Sequence, residues 1–175
     1  NPDHVIEGTE VKSIYEVPLT LYKQKVGDII MERLQLPGEV DVSYLETFIK
    51  KFKKPKHQVT IAMCGKYTEL PDAYKSVLEA FIHAGIENDA NVKVKWVDTE
   101  KLENGMLVEG CFDGVDGILI PGGFGDRGIE GKIMVSKYAR ENGIPFFGIC
   151  LGMQCAIIDF ARHICSWKNA NSTEF

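Results

Sequence analysis

Short apolar runs alternate with helical stretches from Gln58 to His163, and this alternation limits the fold more than any other feature of the chain. Val59–Cys64, Asn91–Val97, Gly117–Ile120 and Pro145–Ile149 read as strands. Asp72–Ala84, Ile129–Asn142 and Leu151–His163 read as helices, with Asp72 as an N-cap and Gly85 and Gly143 just past helix ends. Strands separated by helices predict an α/β domain with an open, mostly parallel sheet flanked by helices. In such a sheet ligands bind beyond the carboxyl ends of the strands.

Residues 1–54 do not share the pattern. Two short helices are expected around Asp28–Leu36 and Ser43–Lys53, separated by Pro37-Gly38 and closed by Pro55. Tyr44, Leu45, Phe48, Ile49 and Phe52 fall on one face of the second. This part reads as the tail of another domain with a connector, and 55–175 as the domain proper. The chain begins at Asn1 rather than Met, so a piece of a longer polypeptide is expected.

The 175 residues are 45% hydrophobic and 26% charged, with a net charge of −5, which suits a globular domain. A nucleic-acid-binding surface needs a basic excess that is missing here. The run Lys50–Lys56 is local and fits a solvated helix end. No apolar run approaches the ~18 residues of a membrane span. The five cysteines have no CxxC pair, and most sit in apolar contexts, as expected of reduced, buried thiols in a cytoplasmic protein.

Two segments carry chemistry. Gly148-Ile149-Cys150-Leu151-Gly152 lies between a strand and a helix, the setting of a nucleophile elbow with Cys in place of Ser. Glycines on both sides leave room for a tight turn, and the helix N-terminus stabilises negative charge near the sulfur. Pro121-Gly122-Gly123-Phe124-Gly125 follows another strand, with backbone N–H groups able to face an anion. Both fall at the carboxyl edge of the sheet. Together they suggest acyl transfer through a Cys150 thioester, with the glycine loop as oxyanion hole. A buried core cysteine is the plain alternative for Cys150, and the flanking glycines and facing loop argue against it.

A cysteine nucleophile needs a base. His163 lies thirteen residues along the same helix, about 20 Å away. His57 and His83 belong to the opposite sheet edge, and His4 to the N-terminal segment. The base is therefore expected C-terminal to Phe175, and the domain is expected to be incomplete at that end. Cys64, Cys155 and Cys165 are expected to be structural. Gln154, one turn past Cys150, either reaches substrate or is an ordinary polar helix residue. Asp126-Arg127 is either a mobile charged lid or a solvated loop.

The glycine loop and the Gly148–Gln154 segment resemble the class I (triad) glutamine amidotransferases, whose fold is flavodoxin-like. Further segments narrow the likeness: Ser13–Pro18, Gly65-Lys66-Tyr67, Asp72–Val77, Arg127–Lys132 and Asn169–Phe175 are similar to the CTP synthase family. The resemblance implies that Cys150 attacks the glutamine amide carbon. It implies that the Gly123 and Leu151 N–H groups hold the oxyanion. It also implies that Gly122, Gly123, Phe124, Gln154 and Glu174 bind glutamine, Glu174 at its α-amino group. Gly125, Asp126, Arg127 and Gly128 would belong to a lid associated with activation by GTP. The ammonia would go to a separate amination domain that uses ATP and Mg²⁺ to convert UTP to CTP and assembles as a homotetramer. No metal or cofactor is implied within this chain. Two other readings stay open: an amidotransferase feeding another acceptor, and a non-catalytic docking or regulatory module.

Overall fold

The computed structural model describes residues 4–66 and 68–175, so Tyr67 of the Gly65–Tyr67 segment lies outside the described residues. Among the described residues four strands form one all-parallel sheet in the order β2-β1-β3-β4, with β1 His57–Gly65, β2 Ala90–Asp98, β3 Gly117–Ile120 and β4 Phe146–Gly148. Strand alternation sends Ala62, Cys64, Ile118 and Ile120 to one face, where they pack on Leu102, Val135 and Ala139. It sends Met63 and Leu119 to the other, against Tyr74, Val77 and Phe81.

Among the described residues seven α-helices accompany the sheet: α1 Val17–Lys23, α2 Val26–Leu34, α3 Ser43–Lys53, α4 Lys75–Glu87, α5 Thr99–Glu103, α6 Ile129–Glu141 and α7 Leu151–His163. α4 covers one face, while α5 and α6 cover the other with α7 beside them. No described helix is long and apolar enough to cross a membrane. The sheet, α6 and α7 match the sequence expectation to within a few residues.

The α4 region differs from expectation. Asp72 belongs to a 3-10 turn, Pro71–Tyr74, and its side chain caps nothing. The helix then runs through Gly85 instead of ending before it. Gly85 is there because the chain passes close by: a Cβ would stand 2.5 Å from the Ala90 carbonyl oxygen. Asn88 ends the helix, its Nδ2 donating to the Ala84 carbonyl at 2.8 Å. α2 starts and stops two residues before the expected span, because Gln35 turns left-handed (φ 51°) and Leu36 N–H bonds back to the Met31 carbonyl. Neither α1 nor α5 was expected. α5 has only five residues and is started by Asp98, whose Oδ1 accepts from the Glu100 and Lys101 N–H groups.

The N-terminal segment docks on the outer side of α4. Phe48 and Ile49 of α3 bury against Ile86, with Tyr15, Leu19 and Phe52 around them. The Tyr15 hydroxyl donates to Glu79 of α4, and burial with that carboxylate pushes its pKa up to about 12. Glu16 pairs with Lys53, which holds its carboxyl below the usual range.

Two charged clusters fasten α7 to α6. Arg140 donates to both oxygens of Asp159, at 2.8 and 3.1 Å, and His163 Nδ1 stands 2.8 Å from Asp159 Oδ1. Asp159 is 2% exposed, so this pairing meets the need of a buried carboxylate for donors. Arg162 grips both oxygens of Glu130 at 3.0 and 2.9 Å and donates to the Ala170 carbonyl at 2.7 Å. The second cluster also holds the C-terminal segment.

Candidate active site

Cys150 is the second of the two residues between β4 and α7. Its backbone has φ 50° and ψ −104°, strained for a side chain with a Cβ. The strain is maintained from both sides. Ile149 N–H bonds to the Ile120 carbonyl at 2.9 Å, and Gln154 N–H begins the α7 ladder on the Cys150 carbonyl at 3.1 Å. The flanking glycines are explained by close approach. A Cβ on Gly148 would stand 2.5 Å from Met153 N, and one on Gly152 would stand 2.9 Å from Ile120 Cβ and overlap the Ile120 carbonyl oxygen. Only bare backbones allow β4, the turn and α7 to pack this tightly. The sulfur is left exposed at the carboxyl edge of the sheet.

The glycine loop leaves β3 and faces this turn. A Cβ on Gly122 would lie 3.6 Å from Cys150 Cβ, and one on Gly123 would lie 3.7 Å from Leu151 Cδ2. Neither the Gly123 nor the Leu151 N–H is engaged among the described residues. Two free donors flanking a strained, exposed thiol form the arrangement that acyl transfer through a tetrahedral oxyanion requires. Phe124 is exposed, and its carbonyl accepts from Lys66 Nζ.

Beyond Gly125 the loop turns back toward α5. Arg127 Nε is 3.6 Å from Glu100 Oε1, and Gly128 is left-handed (φ 73°), where a Cβ would stand 2.7 Å from Thr99 Oγ1. Asp126 and Arg127 are both exposed.

The C-terminal segment comes back to the elbow. Gln154 Nε2 donates to Glu174, Ser172 Oγ donates to Gln154 Oε1 at 2.9 Å, and Glu174 N–H donates to Ser172 Oγ at 3.1 Å. Phe175 packs on the α6–α7 core beside Leu151. Gln154 and Glu174, twenty residues apart in sequence, thus share one spot a single turn beyond Cys150.

None of the four histidines stands at the elbow. His163 ends α7, His83 lies on α4 against Tyr15 and Phe48, His57 opens β1 at the other sheet edge, and His4 meets Arg33. The other thiols differ from expectation in part. Cys64 and Cys155 are fully buried, and burial pushes both pKa values up, Cys155 to about 11. Cys111 is half-buried, and Cys165 is exposed because it follows the end of α7, beside Met153, Ile157 and Trp167 on an uncovered face. Sequence reasoning missed the roles of Ser172 and Arg162. Both contacts cross between segments, and only the fold brings their partners together.

Comparison with known proteins agrees with this geometry. Residues 69–174 match the family model for glutamine amidotransferase class-I. The CTP synthase of Caldanaerobacter subterraneus subsp. tengcongensis is 54% identical over 172 residues, 98% of this chain and 32% of that protein. The CTP synthase of Methanocaldococcus jannaschii is 51% identical over 178 residues, 98% of this chain and 33% of that protein. The chain therefore spans about a third of the length of these curated relatives. Among solved structures, the Trypanosoma brucei CTPS glutaminase domain with bound acivicin superposes with a TM-score of 0.58 at 41% identity, covering 67% of this chain and 46% of that one. By sequence, fold and the construction of its elbow, this chain belongs to the class-I glutamine amidotransferase family.

Proposed function

We propose that this chain is the part of a CTP synthase that carries the nucleophile for glutamine hydrolysis. The strained, exposed Cys150 facing the glycine loop carries this reading, and the identity to CTP synthases across 98% of the chain supports it. Residues 55–175 would form the amidotransferase portion, and residues 1–54 the tail of the amination domain and its linker.

In this mechanism the Cys150 thiolate attacks the side-chain amide carbon of glutamine. The carbonyl oxygen becomes an oxyanion held by the Gly123 and Leu151 N–H groups. Collapse of the tetrahedral adduct expels ammonia, protonated by the general acid–base partner of Cys150. Water then hydrolyses the thioester, releasing glutamate and the thiol. None of the four histidines stands at the elbow, and this reading assigns that role to a group outside the chain. Glu174 offers its carboxylate to the substrate α-ammonium, Gln154 sits beside it, and Gly122, Gly123 and Phe124 wall the substrate. Gly125, Asp126, Arg127 and Gly128 would form the lid that responds to GTP.

Amination of UTP with ATP and Mg²⁺, and assembly into a homotetramer, would rest on sequence outside this chain. No group of three or more His, Cys, Asp or Glu that could hold a metal ion occurs among the described residues, and no step here is routed through one. The test is to supply the full-length polypeptide with UTP, ATP, Mg²⁺ and glutamine. CTP and glutamate should form in equal amounts. Glutamate released from glutamine with no CTP formed, from either glutamine or added ammonium, would point to a different acceptor.

A further inference from the structure

Residues 170–175 fold back onto the first turn of α7, and their hydrogen bonds with Gln154 close a ring. Glu174 N–H donates to Ser172 Oγ at 3.1 Å, Ser172 Oγ donates to Gln154 Oε1 at 2.9 Å, and Gln154 Nε2 donates to the Glu174 carboxylate. The segment is held at both ends. Arg162 Nε donates to the Ala170 carbonyl at 2.7 Å, and Phe175 packs on the α6–α7 core. Gln154 is itself rooted at the elbow, with its backbone N–H on the Cys150 carbonyl.

Ser172 meets both other members of the ring through one atom, its hydroxyl oxygen. A carboxamide can turn either its oxygen or its NH₂ group toward a neighbour. With the oxygen turned to Glu174, two acceptors would face each other and push the carboxylate away. The Ser172 hydroxyl donates to Gln154 Oε1 and so turns Nε2 toward Glu174. The same oxygen accepts the N–H two residues on, a local turn that serine favours and that fixes where the Glu174 side chain starts. Glu174 is exposed, and an untethered glutamate there would move among several rotamers. Gln154 engages Oε2, and a carboxylate with two oxygens keeps further lone pairs for an ammonium.

We propose that Ser172 is a positioning residue for glutamine: its hydroxyl orients the Gln154 amide and, through it, holds the Glu174 carboxylate where the substrate α-ammonium arrives. This inference rests on the glutamine site proposed above. Ser172 acts through Gln154 and Glu174 and touches no reacting atom. The ring is closed before substrate arrives, so binding does not have to order the Glu174 side chain. The ammonium lies at the opposite end of glutamine from the amide carbon that Cys150 attacks, so the role belongs to binding rather than to bond making.

Threonine and valine share one shape and differ only in a hydroxyl in place of a methyl group. Comparing Ser172→Thr with Ser172→Val in the full-length polypeptide therefore separates the hydrogen bonds from packing. Ser172→Val should have a KM for glutamine about tenfold above that of Ser172→Thr, with the difference in KM rather than in kcat. Ser172→Ala, which adds no atoms, should behave like Ser172→Val. Inactivation supplies a second readout, because acivicin carries an α-ammonium and iodoacetamide does not. At subsaturating concentration acivicin should inactivate Ser172→Val about tenfold more slowly than Ser172→Thr, with iodoacetamide alkylating Cys150 equally fast in both. Equal KM and acivicin rates in the two variants, a fall in kcat alone, or a parallel slowing with iodoacetamide would overturn the role of Ser172. A wild-type polypeptide that makes CTP from ammonium but not from glutamine would instead overturn the glutamine site itself.

Discussion

Replacing Cys150 with Ala is expected to lower glutamine-dependent CTP formation by about 10⁵–10⁶-fold while leaving formation from added ammonium salt unchanged. The size follows from removing the only group that forms the covalent intermediate. The selectivity follows from the structure. The Cys150 sulfur is exposed, and alanine keeps the Cβ whose position the strained φ of 50° already accommodates. Backbone geometry, the Gly122 contact and the start of α7 should all survive. Added ammonium bypasses the step in which Cys150 acts, so the two nitrogen sources separate chemistry from folding. Loss of both activities together would show that Cys150 holds the fold or the route to the acceptor instead.

Two glycine substitutions at the same site should behave in opposite ways. Gly123→Ala meets nothing closer than Leu151 Cδ2 at 3.7 Å, an ordinary contact, so the fold should hold. A methyl group beside the oxyanion donor should still displace the substrate carbonyl. The loss of one such donor costs about 10²–10³ in rate. Gly152→Ala instead drives a Cβ into the Ile120 carbonyl, with Ile120 Cβ at 2.9 Å. To relieve this, α7 must move off β3 and carry the elbow with it. Its main effect should be a destabilisation of about 1–3 kcal/mol or more, read as a lower urea midpoint. A Gly123→Ala protein that unfolds, or a Gly152→Ala protein of normal stability, would contradict the assigned packing.

Much of this was legible in the sequence because it depended on local pattern. The strands of the sheet and the helices Ile129–Glu141 and Leu151–His163 show their periodicity directly, and the glycines around Cys150 mark a turn that only small residues permit. The α4 boundary was misread because Gly85 serves a tertiary contact with Ala90, whereas a glycine near a helix end ordinarily signals termination. Cys165 was expected to be a structural thiol packed as a small hydrophobe, but it is exposed beside Met153, Ile157 and Trp167 on an uncovered face. Lys132 sits in an ordinary helical pattern, and nothing local distinguishes it from a solvated lysine. Its burial emerges only in the folded structure, where it lines a cavity together with Gly65, Tyr74 and Gly123. The meeting of Gln154 with Glu174 could be expected from family likeness but not from spacing, because it depends on Ser172 and Arg162 folding the last residues back.

The most direct test is peptide mapping by mass spectrometry after the full-length polypeptide is treated with acivicin and, separately, with iodoacetamide. Iodoacetamide should modify both exposed thiols, Cys150 and Cys165, and spare the buried Cys64 and Cys155, whose pKa values burial raises. Acivicin should modify Cys150 alone, because only that sulfur faces the glycine loop and the Gln154–Glu174 pair. Acivicin on Cys165 to the same extent, or Cys150 alkylated by iodoacetamide but untouched by acivicin, would contradict the placement of the glutamine site at the elbow.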